Sequence, residues 1–419
     1  MSLARDCPIK SFSLTQGHDM SAAMDYTSRY TCRVCGSRDL NDVFSLGNLY
    51  VSDFPAHRTS PAIRAPLDLV LCSGCSLLQL RHTAPQELMY TRHYWYRSGI
   101  THTMRAALRD IARSAEDLVA LHADDIVLDI GANDGTLLAA YNTPGLIKVG
   151  CEPANNLVAE LREVTPHIIH DFWRAEAFDA LFPGKKAKVV TAIGMFYDME
   201  DPNQFVADAA RVLDENGIFI AQLMCLRPML EKNDLGNICH EHLEFYSLES
   251  LKVLFENNGL EVFKLEENNI NGGSYRIFCR RLRSGSIRLA DNFTTTDYLA
   301  FFNRVNAIRS RCQDFIRSEV GRGKKVYVYG ASTKGNTILQ YFGLTAESIA
   351  GAADRSPEKW GRFTVGTLIP IVSEEAARTD ADYFLVLPWA FLDEFLERES
   401  DWRKRGGKFI VPFPEFRIL

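Results

Sequence analysis

The sequence predicts an α/β protein with two separate openings of strand, glycine turn and helix, preceded by a small cysteine-bearing unit. The run DIVLDI (125–130) passes into GANDG, and KKVYVYG (324–330) passes into ASTKGNT. Each joins a short apolar, β-branched segment to a glycine turn and then a helical pattern, which is how a doubly wound sheet begins. At 419 residues the chain exceeds one ordinary core, and the second opening marks where a further domain starts.

Taken in order, residues 1–28 are polar and without period and read as a flexible leader. Residues 29–88 hold YTCRVCGSRDL, a loop-like stretch with Pro55, Pro61 and Pro66, and LDLVLCSGCSLLQL, suited to two short strand-and-turn units. Residues 89–290 form the central domain: an amphipathic helix over 103–123, then DIVLDI and strands KVGCE (148–152), KVVTAIG (188–194), GIFIAQLM (217–224), LEVFKLE (260–266) and SYRIFCRR (274–281). Helical stretches separate most of these strands, as an α/β layering requires. Residues 291–320 read as a helical connector and 321–419 as a second Rossmann-like domain.

Composition narrows the function. With 46% apolar and 24% charged residues the chain can fill several cores, which excludes bulk disorder. A net charge of -6 supplies no basic field for phosphate backbones, so nucleic acid is not an expected partner. No apolar run approaches the roughly 20 residues of a bilayer span, and the N-terminus has no apolar signal core. These features read as a cytoplasmic monomer or homodimer without a membrane partner.

Ten cysteines in such a chain stay reduced, and four of them cluster. Cys32 and Cys35 form one CxxC and Cys72 and Cys75 another, the two-knuckle pattern of a closed, structural zinc site. The 36 residues between the pairs exceed the usual gap of about 15–20, and four reduced core cysteines or a redox pair are the competing readings.

In VLDIGANDGTLL, Asp129 is expected to end the strand, Gly131 to permit the turn, and Asn133, Asp134 and Gly135 to bring backbone close to a ligand at the helix start. About 20 residues on, Glu152 and Pro153 close the next strand, where a carboxylate accepts both hydroxyls of an adenine-linked ribose. A dinucleotide site would carry three glycines at GxGxxG spacing. An acidic residue before the turn suits a cofactor with a cationic amino-acid end, which favours S-adenosylmethionine over NAD. Asp171 and Phe172 are candidates for framing the adenine, and a packing glycine at a strand end is the alternative for the turn.

His240, Glu241 and His242 in CHEHLEF gather two imidazoles and a carboxylate around a general-base candidate. The spacing is not that of an HExxH metal helix, and alone the triplet reads equally as a surface cluster or a site. In VYGASTKGNT, Gly330, Ser332, Lys334 and Asn336 suit a diphosphate at a helix start, with Asp354 a candidate for ribose hydroxyls; a lid on a degenerate Rossmann fold is the alternative.

Together, the paired knuckles, DIGANDG with EPANN, HEH with NGGSYR, and VYGASTKGNT through GKFIVPFP resemble the three-domain C-methyltransferases of nucleotide-linked 4-keto deoxy sugars, over residues 30–415. The resemblance implies a zinc-binding N-terminal domain, a central S-adenosylmethionine domain and a Rossmann-like C-terminal domain enclosing one active site. It makes His242 the base that removes the sugar C3 proton, with His240 and Glu241 orienting it. It assigns sugar contacts to Tyr94, Tyr96 and Ser98, with core aromatic packing as the other reading of the tyrosines, and substrate contacts to Asn271, Gly272, Gly273 and Ser274. Three positions depart from the family pattern: Cys239 replaces a tyrosine proton donor, Asp198 a histidine, and Ala390 the asparagine after Trp389. These departures keep open an O- or N-methyltransferase, or an isomerase or lyase, on the same scaffold; a zinc-knuckle interaction protein without catalysis is the third reading.

Overall fold

The computed structural model describes residues 26–90, 94–291 and 293–419. Residues 1–25 of the expected leader lie outside that set. The first strands are β1 (Thr27–Ser28), β2 (Leu40–Tyr50), β3 (Arg64–Cys72), β4 (Leu78–Leu80) and β5 (His82–Thr83). Because β1 pairs antiparallel with β5, the end of the expected leader, Thr27 and Ser28, belongs to the folded unit.

The stretch between the cysteine pairs is not a loop with short strands but a long hairpin of β2 on β3, whose register sets Leu40 opposite Cys72. That hairpin absorbs the wide spacing and returns the second knuckle to the first. Pro66 sits inside β3, and the strand tolerates it because β4 pairs only with Leu69–Leu71, leaving the other edge at Pro66 free.

The central sheet follows with β6 (Ile126–Ile130), β7 (Ile147–Cys151), β8 (His167–Ile169), β9 (Ala187–Ile193), β10 (Leu213–Met224), β11 (Glu244–Phe245), β12 (Leu260–Asn268) and β13 (Ser274–Arg281). Seven of these strands order as β12-β13-β10-β9-β6-β7-β8, with β13 antiparallel to both neighbours. All five residues of β6 are buried, as a parallel strand covered on both faces requires. The chain leaves β6 for β7 and β8 on one side and returns to β9 on the other, which opens a crevice beyond the carboxyl end of β6. The remaining strand, β11, joins the zinc-knuckle sheet beside β4. The helix expected over 103–123 runs from His102 to Leu118, capped by Thr101, and buries Met104, Leu108, Ile111 and Ala115 at helical spacing.

The last unit holds β14 (Val326–Tyr329), β15 (Gly351–Asp354), β16 (Ile371–Ser373), β17 (Tyr383–Val386), β18 (Lys408–Val411) and β19 (Arg417–Ile418). Their order is β16-β15-β14-β17-β18-β19, parallel except for β19. The expected connector is the helix Thr295–Gly321, and it is no free linker. Tyr298, Phe301, Val305, Ile308, Cys312 and Ile316 repeat at three and four residues and pack into one core with Phe54 and Leu69 of the first unit and Val328 of the last. Among the described residues no helix is long and apolar enough to cross a membrane.

Candidate active site

The four knuckle sulfurs all lie within 4.8 Å of one another, with Cys32–Cys75 and Cys35–Cys72 at 3.5 Å. A tetrahedral zinc with bonds of about 2.3 Å spaces its sulfurs about 3.8 Å apart, so the cluster fits that ion. Backbone N–H groups of Cys35 and Gly74 point at the sulfurs of Cys32 and Cys72, at 3.5 and 3.3 Å. Contact with Cys75 pulls the Cys32 thiol down to about 5, whereas burial pushes Cys72 up to about 11. Thiols this close ionise together only around a cation. Arg33, between the first two ligands, is fully buried; its guanidinium donates to Leu80 O (2.6 Å) and Thr83 Oγ1 (2.8 Å) and pairs with Glu200 (3.3 Å) and Glu244 (3.6 Å). The knuckle is thereby tied to the segment that carries His242.

A cavity of about 660 Å³ lies beyond the carboxyl ends of β6, β7, β9 and β10, and all three units line it. From the crevice come Gly131, Asn133, Glu152, Pro153 and Phe172; from the segment before the central domain, Tyr94, Tyr96 and Ser98. The buried Glu152 carboxylate accepts the N–H of Asn133 and of Ala154, both at 2.8 Å, and burial raises its pKa. Each oxygen keeps a second lone pair for a hydroxyl donor. Gly131 must be glycine: its φ is +74°, and a Cβ would meet Met195 Cγ at 2.8 Å.

Several expected cofactor contacts stand elsewhere. Asp129 lies inside β6 rather than at its end, bonded to Thr191 Oγ1 at 2.6 Å, and burial pushes it to about 7; it does not line the cavity. Asp134 is taken up by Gly99 N (2.6 Å) and Thr136 Oγ1 (2.6 Å), and Asn133 Oδ1 by Ser98 N (2.9 Å). These two side chains and Asn156, which brackets Tyr94, clamp the tyrosine segment over the crevice. Gly135 is a packing position, since a Cβ would meet Val164 at 2.9 Å. Asp171 turns back to the N–H of Phe172.

The HEH triplet forms a turn, closed by His242 N to Cys239 O, so its side chains diverge. His242 faces the cavity, and its Nδ1 donates to Asn237 O at 2.7 Å. A carbonyl only accepts, which fixes the proton on Nδ1 and leaves Nε2 as a base. Burial, and then the Lys334 charge, hold its pKa well below the usual histidine value. Glu241 also lines the cavity, whereas His240 points away, its Nε2 at 2.9 Å from Ala65 O of β3. The orienting partner of His242 is therefore Asn237, not His240 or Glu241. Asp198 lines the cavity; its Oδ1 is buried and unpartnered among the described residues, and its pKa is raised by burial and by Glu241 and Glu244.

From the last unit, Ser332 and Lys334 line the cavity. Ser332 Oγ caps Gly335 N at 3.0 Å, and Lys334 Nζ lies 3.0 Å from Asn237 Oδ1 and 2.8 Å from Met224 Sδ. The cradle expected for a diphosphate is thus occupied by the helix's own cap, and its lysine is drawn to the HEH pocket. Asp354 is consumed by Ala331 N (2.9 Å), Ser356 N (2.8 Å) and Lys359 (3.2 Å), and Asn336 donates to Asp53 O (3.1 Å); neither lines the cavity. Gly330 packs near Pro388, while Gly272 and Gly273 bring backbone against Trp389 and Pro228, between the lining residues Asn271 and Ser274. The sequence reading missed Asp234, Asn237 and Gln222. Only Gln222 left a signal, as a polar residue inside the otherwise apolar GIFIAQLM; its Oε1 accepts from Arg276 Nε at 3.0 Å.

Comparison with known proteins bears on this geometry. Residues 32–90 match a zinc binding domain, 100–265 a methyltransferase domain, and 269–414 the C-methyltransferase C-terminal domain. The chain is 29% identical over 405 residues to the C-methyltransferase NovU of Streptomyces niveus, spanning 93% of this chain and 96% of that protein. It is a SAM-dependent methyltransferase, and its three units match these three domain models in order. Among solved structures, the methyltransferase is similar to mitomycin 7-O-methyltransferase MmcR at 17% identity and TM-score 0.34, over 43% of this chain and 54% of that one. It is likewise similar to magnesium protoporphyrin IX methyltransferase ChlM of Synechocystis PCC 6803 at 12% identity and TM-score 0.31, over 43% and 79%. Its cofactors are S-adenosylmethionine and a structural zinc ion.

Proposed function

We infer that the methyltransferase acts on C3 of a nucleotide-linked 4-keto-6-deoxy sugar in the cytoplasm. The observation that carries this reading is that the Glu152 crevice and the His242 imidazole open into one cavity. Glu152, Gly131, Pro153 and Phe172 hold the cofactor, and Tyr94, Tyr96, Ser98, Asn271 and Ser274 contact the sugar. When bound, S-adenosylmethionine supplies an electrophilic methyl on a sulfonium. A C4 ketone acidifies the neighbouring C–H, and His242 Nε2 removes that proton while Asn237 holds the ring. The clamped tyrosine segment borders the site and positions the sugar for in-line attack by carbon.

A second reading, O- or N-methylation, is favoured by Asp198: a buried carboxyl lining the cavity, its pKa raised by burial, suits removal of the proton of a hydroxyl or amine nucleophile. Mass spectrometry of reactions with a panel of nucleotide 4-keto-6-deoxy sugars, with NMR of the product, separates the two. We expect a product one methylene heavier, methylated on carbon and absent with His242→Ala. A methyl on oxygen or nitrogen, formed equally well by His242→Ala, would establish the second reading.

A further inference from the structure

Cys239, at the start of the HEH turn, is 1% exposed and does not line the cavity, so it offers no proton donor to a bound sugar. An enolate forming at a sugar ketone would leave its oxygen without the expected donor. Enclosed sites stabilise such oxygens with a preorganised cation or N–H group. We propose that Lys334, carried into the site by the C-terminal unit, is the catalytic residue that donates to the enolate oxygen. The proposal rests on the C-methylation reading above.

Three observations support it. First, Lys334 and His242 line the same cavity and are joined through one residue: Asn237 accepts from Lys334 Nζ on its side-chain oxygen (3.0 Å) and from His242 Nδ1 on its backbone oxygen (2.7 Å). The base and the cation are thus fixed to a common mount. Second, the ammonium is under-satisfied. It carries three N–H donors, and among the described residues its two hydrogen-bond contacts are one amide oxygen and the thioether of Met224 at 2.8 Å. A thioether is a weak acceptor, which a substrate oxygen readily displaces. Third, the helix that carries Lys334, Thr333–Phe342, has its own N-terminus capped by Ser332, so it does not need the lysine for its stability.

The step balances without any further reactant. The C–H electron pair becomes the C=C bond of the enolate as the proton moves to His242 Nε2, and the carbonyl π pair moves onto oxygen beside the Lys334 ammonium. The C=C pair then forms the new carbon–carbon bond to the methyl as its bond to the sulfonium breaks, the bonding pair staying on sulfur as a neutral thioether, and the oxygen's pair restores the ketone. Lys334 gives up no proton in the cycle; it offers a charged hydrogen bond that strengthens as negative charge gathers on the oxygen.

The test is steady-state kinetics of the full chain with Lys334→Met, Lys334→Gln and Lys334→Arg, alongside calorimetric binding of S-adenosylmethionine. We expect Lys334→Met to lose roughly 10²–10³-fold in kcat with KM for the nucleotide sugar within about threefold, and Lys334→Arg to recover part of the loss. The acid limb of kcat/KM should also move to higher pH in Lys334→Met, because the ammonium disfavours protonated His242. The other titratable groups that feel Lys334 are Asp198, Asp234, Cys239 and Glu241, so the shift is read against Asp198→Asn and Glu241→Gln. Raised KM with unchanged kcat would return Lys334 to phosphate binding and overturn the proposal. Equal losses in all three variants, with weakened cofactor binding, would overturn it in favour of a structural role. If the wild-type enzyme methylates no keto sugar, the functional reading fails first and takes the proposal with it.

Discussion

Replacing Glu152 with Gln is the most informative change in the cofactor crevice, because the structure gives that carboxylate two separate duties. It accepts two buried backbone N–H groups at 2.8 Å, and it presents its remaining lone pairs to the cavity. An amide oxygen can still serve one of the N–H donors, but the amide nitrogen then faces the other, leaving a buried donor unmet at a cost of about 1–3 kcal/mol. Each ribose hydroxyl bonded to a charged acceptor contributes about 1.5–3 kcal/mol, so losing the charge under two hydroxyls removes on the order of 3 kcal/mol of binding. That corresponds to a rise of roughly 100-fold in Kd for S-adenosylmethionine. Isothermal titration calorimetry reads the affinity, and thermal unfolding separates it from stability. The control is Asp129→Asn, which retains an acceptor for Thr191 and does not touch the cavity; its Kd should stay within about threefold of wild type. A Glu152→Gln enzyme that binds normally, or an Asp129→Asn enzyme that loses binding instead, would refute the argument.

Other expectations follow from the same geometry. Arg33→Leu breaks a buried ion pair and orphans Glu244, so chemical denaturation should show about 3–5 kcal/mol less stability; removing zinc with a chelator should lower the unfolding temperature of the wild type in the same direction. Gly131→Ala places a methyl 2.8 Å from Met195 Cγ in a left-handed backbone conformation and should weaken cofactor binding at least tenfold by calorimetry. Because the His242 pKa is lowered in the fold, the base stays deprotonated as pH falls through 6.5, and the acid limb of kcat/KM should lie below that value. His240, pushed by burial down to about 4, contributes stability that is fully present above its unfolded pKa near 6.5 and is lost as pH falls toward 4. His240→Asn should flatten the dependence of the melting temperature on pH across that window.

Local chemistry made much of this readable in advance. The glycine turn after DIVLDI, the carboxylate at the end of the next strand and each CxxC knuckle encode their geometry within a few residues, whereas bringing the two knuckles together needed the β2–β3 hairpin. Wherever tertiary packing decides, the sequence was silent. Pro66 argued against a strand, but the free edge of β3 at that point accommodates it. Asp129 and Asp134 looked like ligand contacts because they flank the turn; one lies within the sheet and the other clamps Gly99. Asn237 carries no motif, and its importance comes from a backbone oxygen that meets His242 only after the chain turns at Cys239. Lys334 was legible as a cation at a helix start, but which pocket it enters depends on how the last unit docks against the central one.

The central claim is that carbon, activated by His242, is the nucleophile, and hydrogen exchange at that carbon tests it most directly. Incubating the enzyme with a nucleotide 4-keto-6-deoxy sugar and S-adenosylhomocysteine in deuterium oxide removes methyl transfer and leaves only proton abstraction. The account predicts deuterium at C3, detected by NMR, for the wild type and background exchange for His242→Ala. Methylation of the same sugar with no enzyme-dependent exchange at any carbon beside the ketone would contradict it.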